Sequence, residues 1–306
     1  MKLKYFLSAA IAFLTGGYCL HAQQPAFDCK QSTFRSVNEA LKFKDCATKL
    51  SLRIAKDEVL NPEIGQLVHL QTVDLQKNSY PYLPETVGDL AQLKSMIISH
   101  NHLKKLPEAV GKWTQIEFLQ VDNNGLSDLP VTITGWKQLK TLDLSWNNFS
   151  SLQKEITRLK SIRLLEVSHN GLLNLPEKIG NLRTLEELDL TFNKLTALPK
   201  SFTRLSKLNS LDLGDNQLEA LPENIHQLKA LKSINVNNNK LRALPGSIAR
   251  LKSLESLYLS NNQLQSLPES LYQMTHLRNI VLVGNPINKE EIVRLKKALP
   301  NTNIVF

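Results

Sequence analysis

Residues 182–204 read LRTLEELDLTFNKLTALPKSFTR. Leucines stand at 182, 185, 188, 190, 195 and 198, with an asparagine at 193. The LDL at its centre alternates apolar and polar side chains, the pattern of a short strand with one buried face. A strand of that length cannot bury its leucines alone. The chain supplies neighbours: LDLSWNNFSSLQKEI at 142–156 and LDLGDNQLEALPENI at 211–225 repeat the phrase. The asparagine closing each LxLxxN phrase falls at Asn78, Asn101, Asn124, Asn147, Asn170, Asn193, Asn216, Asn239, Asn262 and Asn285, every interval being 23 residues. Copies stacked side by side cover one another's leucines, and one continuous core forms. The strands become a parallel sheet with a spacing of about 4.8 Å. A buried amide must be satisfied, so each asparagine is expected to bond backbone groups of its own and adjacent repeats. The LPxxI part is expected to pack the opposite side with little regular hydrogen bonding, its proline suiting an extended or turn conformation. The sheet side is tightly spaced and the other side bulkier, so the stack must bend with its sheet concave.

This unit resembles the leucine-rich repeat over residues 67–285. A weaker copy, KLSLRIAKDEVLNPEIG at 49–65, keeps Leu52, Leu60 and Ile64 in place but has Ala55 for the asparagine. The resemblance implies an α/β repeat solenoid, a horseshoe with a concave parallel β-sheet and N- and C-terminal caps. It also implies partner binding on the concave face. The unit is similar to those of intracellular Ras-linked scaffold proteins and plant resistance-type repeats, which would suggest a cytoplasmic signalling scaffold. A third reading is a structural or adhesive surface protein.

The ends read differently from the repeats. MKLK at 1–4 carries two lysines, YFLSAAIAFLTGGYCL follows as an apolar run, and Ala22 offers a small residue for cleavage. That is the layout of a secretory signal peptide. The run is short for a membrane helix, which needs about 20 residues. An uncleaved anchor and lipidation at Cys19 are the alternatives, although bulky Tyr18 precedes that cysteine. The leader and its boundary look bacterial, pointing to the envelope or the cell exterior. Cleavage would leave Cys29 and Cys46, which in an exported chain read as one disulfide, the alternative being free or buried thiols. The organisation is therefore 1–22 signal peptide, 23–66 N-terminal cap with the degenerate first repeat, 67–285 ten repeats, and 286–306 C-terminal cap. Capping-box patterns open both caps: SVNE at 36–39, and Asn288 with Glu291. Ile292, Leu295 and Leu299 follow at helical spacing, and NIVF at 303–306 is a last apolar strip. No further membrane span is expected in the mature chain.

Reactive constellations are missing from the sequence. It contains no GxSxG, GxxxxGK[ST], GxGxxG, CxxC or HExxH. His100 and His102 are spaced to share a metal on a strand, but no third ligand is specified. No cofactor, no metal and no catalytic residue are expected. The formal charge of +9 raises nucleic acid as a partner, yet the basic residues are scattered rather than clustered, as on a solvated surface.

Numbered along LxxLxLxxN, the third, fifth, seventh and eighth positions are expected to face the concavity. The fifth column runs Asp74, Ile97, Gln120, Asp143, Glu166, Asp189, Asp212, Asn235, Tyr258 and Val281. Four consecutive members are acidic, a ladder that repels itself unless water or a cationic partner relieves it. Asp122, Glu187 and Asp215 lie in neighbouring columns. The eighth column places Trp146, His169 and Phe192 in three successive repeats, with Phe118 and Leu164 nearby in the third. Adjacent exposed aromatics resemble interface hot spots. The expected binding set is Phe118, Gln120, Asp122, Asp143, Trp146, Glu166, His169, Asp189, Phe192 and Asp212, and the expected partner is a protein or peptide with basic groups. The alternatives are that the aspartates are inherited repeat wording and that the rings only stiffen the sheet.

Overall fold

The computed structural model describes residues 28–55 and 57–306. The leader read over 1–22, with Cys19 and the cut near Ala22, lies outside the described residues. Among those described, thirteen short strands form one open parallel sheet, from Thr33–Phe34 to Asn303–Val305. Spatial order follows chain order throughout. The register advances by one repeat per strand: Thr141 faces Leu164, Leu142 faces Leu165, and Asp143 faces Glu166. The result is a curved, unclosed leucine-rich repeat solenoid.

The central residue of each strand explains the arrangement. Leu142, Leu165, Leu188 and Leu211 are buried, while their strand neighbours are mostly half-buried. Burying one leucine contributes about 1.5 to 3 kcal/mol. That gain exists only when the next repeat covers it.

The asparagine column works as expected. Asn147 Oδ1 accepts the Leu126 N–H at 2.9 Å, one repeat back. Its Nδ2 donates to Val121 O and Leu144 O, both at 3.1 Å. Asn170, Asn193 and Asn216 repeat the pattern. Each amide thus stitches two repeats.

The convex side is more regular than the sequence suggests. Short 3-10 turns such as Glu85–Asp89 and Lys200–Arg204 line it, each closed by a backbone bond from the following residue. Tight turns suit this wall because consecutive repeats pack closely there, and short pieces are where 3-10 geometry is stable. A Cβ on Gly111 or Gly135 would collide with the adjacent repeat. Gln153 holds φ −66° and ψ 153°, nearly the values of Pro107 and Pro199, so the missing proline changes no backbone course. Trp113 and Trp136 fill the core behind these turns, donating their indole N–H groups to Val87 O and Val110 O.

Both ends are closed. Cys29 and Cys46 form a disulfide beside the helix Val37–Leu41, whose first turn is capped by Ser36. The Glu39 carboxylate accepts from the Arg35 N–H rather than from that of Ser36. At the far end Asn288 caps the helix Lys289–Ala298. Glu291 reaches back to the Leu267 N–H and the Tyr272 hydroxyl, clasping the cap to the last repeat. Asn303–Val305 then adds the final strand to Asn279–Val281.

Candidate functional site

The eighth position of every repeat has a left-handed backbone. Lys77, His100, Asn123, Trp146, His169, Phe192, Asp215, Asn238 and Asn261 lie between φ 51° and 59°, and Gly284 at 75°. Ile54, one repeat earlier, has φ 57°. The chain must turn here to bring the asparagine inward. Its N–H groups are pinned: Trp146 N–H donates to Ser168 O at 2.9 Å, and Phe192 N–H to Gly214 O at 3.1 Å. Side chains with a Cβ are disfavoured in this region by roughly 1–2 kcal/mol, least for Asn and Asp. The Asn, Asp and Gly members of the column obey that rule. Trp146 and Phe192 oppose it, whereas histidine, at 100 and 169, is tolerated there better than most side chains.

These three rings form a stack. Trp146 and His169 have ring centroids 3.8 Å apart at 12°, and His169 and Phe192 are 4.2 Å apart at 25°. Trp146 is 53% exposed and Phe192 48%. His169, between them, is half-buried, and its Nδ1 has no hydrogen-bond partner. All three lie on one strip along the rim of the sheet rather than inside the leucine core.

The acidic ladder stands in strict register: Asp143 opposite Glu166, Glu166 opposite Asp189, and Asp189 opposite Asp212. Most of these carboxylates also have a local task. Asp143 accepts the Ser145 N–H at 2.9 Å, Asp189 the Thr191 N–H at 2.8 Å, and Asp212 the Gly214 N–H at 3.0 Å. Each thereby caps the turn two residues on, a habit of Asx side chains. Asp74 and Asn235 do the same. This local bond gives the column a structural reason for aspartate, and it draws Asp143 down until it is buried.

Glu166 differs. Its longer side chain accepts no hydrogen bond among the described residues. Burial, then the charges of Asp143 and Asp189, push its carboxyl up to about 7. Burial also raises the carboxyls of Asp143 and Asp212, against the bonds from Ser145 and Gly214.

The remaining expected residues are placed as follows. Phe118 and Gln120 are half-buried on the strand two before that of Glu166, with Gln120 Nε2 3.4 Å from Asp143 Oδ2. Asp122 is buried, accepting from the Ser99 hydroxyl and, at 2.8 Å, from Asn123 Nδ2. The seventh column is uneven: Gln76, Thr191, Asn237 and Ser260 are half-buried and Val283 is exposed. Ser99, Asp122, Ser145 and Ser168, in four successive repeats, are buried. His100 and Asn123, outside the expected binding set, line a hollow of ≈ 360 Å³ with His102 and Trp146. The signal that could have found the left-handed column was its run of Asn, Asp and Gly. Among the described residues no group of three or more His, Cys, Asp or Glu side chains is arranged to hold a metal ion, and no helix is long and apolar enough to cross a membrane.

Comparison with known proteins agrees with this geometry. Family models described as leucine-rich repeat region and leucine rich repeat match residues 147–236, and 114–172 with 229–287, respectively. A search of curated protein sequences finds no match. Among solved structures, an internalin from Listeria monocytogenes aligns with TM-score 0.68 and 21% identity, over 85% of this chain and 72% of its own. The plant peptide hormone receptor RGFR1 in complex with RGF2 gives 0.69 and 24%, over 85% and 47%. A TLR13–ssRNA13 complex gives 0.72 and 27%, over 85% and 40%. This chain thus spans less than half of either receptor.

Proposed function

The chain belongs to the leucine-rich repeat family, a fold that typically serves as a non-enzymatic binding scaffold, and from that premise we propose that its concave face captures a protein or peptide. One observation carries the reading. The eighth residue of three successive repeats carries an aromatic ring on a left-handed backbone, and the outer two, Trp146 and Phe192, stand exposed. Stability alone would favour Asn or Gly there, as Asn238, Asn261 and Gly284 show. Strain retained at two exposed positions that sandwich a third ring points to function. A rigid sheet loses little entropy on binding, which suits a preorganised surface.

The ladder favours a partner with basic groups. Asp143, Glu166, Asp189 and Asp212 repel one another and any phosphate backbone, so protein is preferred to nucleic acid despite the chain's net positive charge. Phe118 and Gln120 extend the surface toward the N-terminal side, and Asp122 braces it from below. The two receptor neighbours are seen with a peptide hormone and with ssRNA13. The acidity of this face favours the peptide. The Cys29–Cys46 bond and the leader read in the sequence support export to the envelope or beyond, because disulfides persist in oxidising compartments. The same bond weighs against the cytoplasmic scaffold reading.

The test is capture from envelope and host extracts by the protein without residues 1–22. Wild type is compared with a variant carrying Trp146→Ala and Phe192→Ala. A partner retained by wild type and lost by the variant, at an unchanged melting temperature, supports the proposal. Equal capture with a lower melting temperature makes the rings structural and favours binding spread along the whole array.

A further inference from the structure

The ring stack shows how this molecule holds a flat group. His169 lies between Trp146 and Phe192, which are two repeats apart, with both faces covered. His100 and Trp146 stand in the same column, also two repeats apart. The residue between them is Asn123, whose Nδ2 bonds Asp122 Oδ2 at 2.8 Å. Asn123 carries no ring, and a hollow lined by His100, His102, Asn123 and Trp146 lies in this interval. The face of Trp146 turned away from His169 borders it.

The chemistry of the floor selects the occupant. Asn123 Oδ1 accepts no hydrogen bond among the described residues, and the charge beneath it is the buried carboxylate of Asp122. Asp143 lies on the next strand. Lys77, beyond His100, is the nearest cation in the same column. A guest must be flat to lie between two rings and must donate rather than accept. A neutral ring would stack, and a phenol or indole could donate to the acceptor, but it brings no charge to the Asp122 carboxylate. An ammonium would meet the acceptor but could not fill the gap. A guanidinium does both, being planar, cationic and rich in donors.

We propose that the slot between His100 and Trp146, floored by Asn123 and Asp122, receives an arginine side chain of the partner and extends the ring stack by one layer. This rests on the concave-face reading above and names one side chain of its ligand.

The test uses tryptophan fluorescence. Of the three tryptophans, Trp113 and Trp136 are fully buried, so Trp146 reports events at the surface. The probes are acetyl-Gly-Arg-Gly-amide and its lysine and tyrosine counterparts. The arginine peptide is expected to change the emission saturably, with the lysine and tyrosine peptides weaker by about tenfold, the scale of a desolvated cation–π contact plus its hydrogen bond. Asn123→Phe, a ring in the backbone state that Phe192 already adopts, fills the slot and should abolish the response. Asn238→Phe, in the same column far from the slot, should leave it intact. Equal binding of the lysine peptide would reduce the effect to charge, and equal binding of the tyrosine peptide to ring stacking. A response that survives Asn123→Phe, with the same melting temperature as wild type, would likewise overturn the assignment. If Asn123→Phe still captures the partner that the Trp146→Ala, Phe192→Ala variant loses, the slot fails and the wider surface stands. If that double variant also captures it, the wider reading fails on its own.

Discussion

At the scale of single residues, Glu166 is the most informative member of the concave face. Asp143, Asp189 and Asp212 each hold a backbone N–H, so replacing them would disturb a turn as well as a charge. Glu166 holds none, so Glu166→Gln changes the field alone. Its carboxyl stands near 7 in the folded state against an ordinary 4.5. Between those values the native state keeps a proton that the unfolded chain has lost. Stability from this group is therefore full below about 4.5 and is lost as pH rises through about 7. Denaturation midpoints of wild type should fall relative to Glu166→Gln over that range, and a constant difference between the two would contradict the assignment. A basic partner acts in the opposite sense by favouring the ionised ladder, so its affinity should rise over the same interval. The sequence showed the four acids in line but not their differing tasks. Asp and Glu look alike in a column, and only the turn geometry separates a side chain that reaches the N–H two residues on from one that does not.

At the scale of the repeat, the two walls are built from different bonds and should respond differently. Asn193 accepts from the Leu172 N–H at 3.0 Å and donates to Val167 O at 2.9 Å and Leu190 O at 3.0 Å. Asn193→Leu orphans all three within the core, a loss on the order of 3 kcal/mol or more. Urea denaturation should register that loss, while capture in native buffer persists. An unchanged midpoint would mean that these bonds do not hold successive repeats together. On the convex wall, Gln153 already holds the backbone of a proline, and its N–H makes no backbone bond. Gln153→Pro should raise stability by about 0.4–1 kcal/mol by restricting the unfolded chain. A decrease would show that the local course differs from that of Pro107 and Pro199. The asparagine stitch was legible in advance because a buried amide has few options. The 3-10 turns were not, because LPxxI fixes only the proline and the apolar contacts. The way the remaining residues wind depends on how closely successive repeats pack.

At the scale of the whole molecule, the period decides nearly everything about the fold. Repeats that touch only their neighbours turn a 23-residue sequence interval into straight columns. The 23-residue interval brings Trp146, His169 and Phe192 together, and the three rings stack. What the period could not reveal was the backbone state of that column. Positive φ is a property of the turn, visible only indirectly through the Asn, Asp and Gly that prefer it. That hidden fact separates the two meanings of the rings. If they serve stability, removing them should weaken the protein. If they serve binding, replacing them with the residues the chain uses elsewhere in the column should relieve strain and cost only affinity. The decisive measurement is a titration of the captured partner onto a variant carrying Trp146→Asn and Phe192→Asn, with its melting temperature followed alongside. The account expects an affinity loss of about a hundredfold, as for two hot-spot side chains, at an equal or higher melting temperature. Undiminished affinity with a lower melting temperature would contradict it.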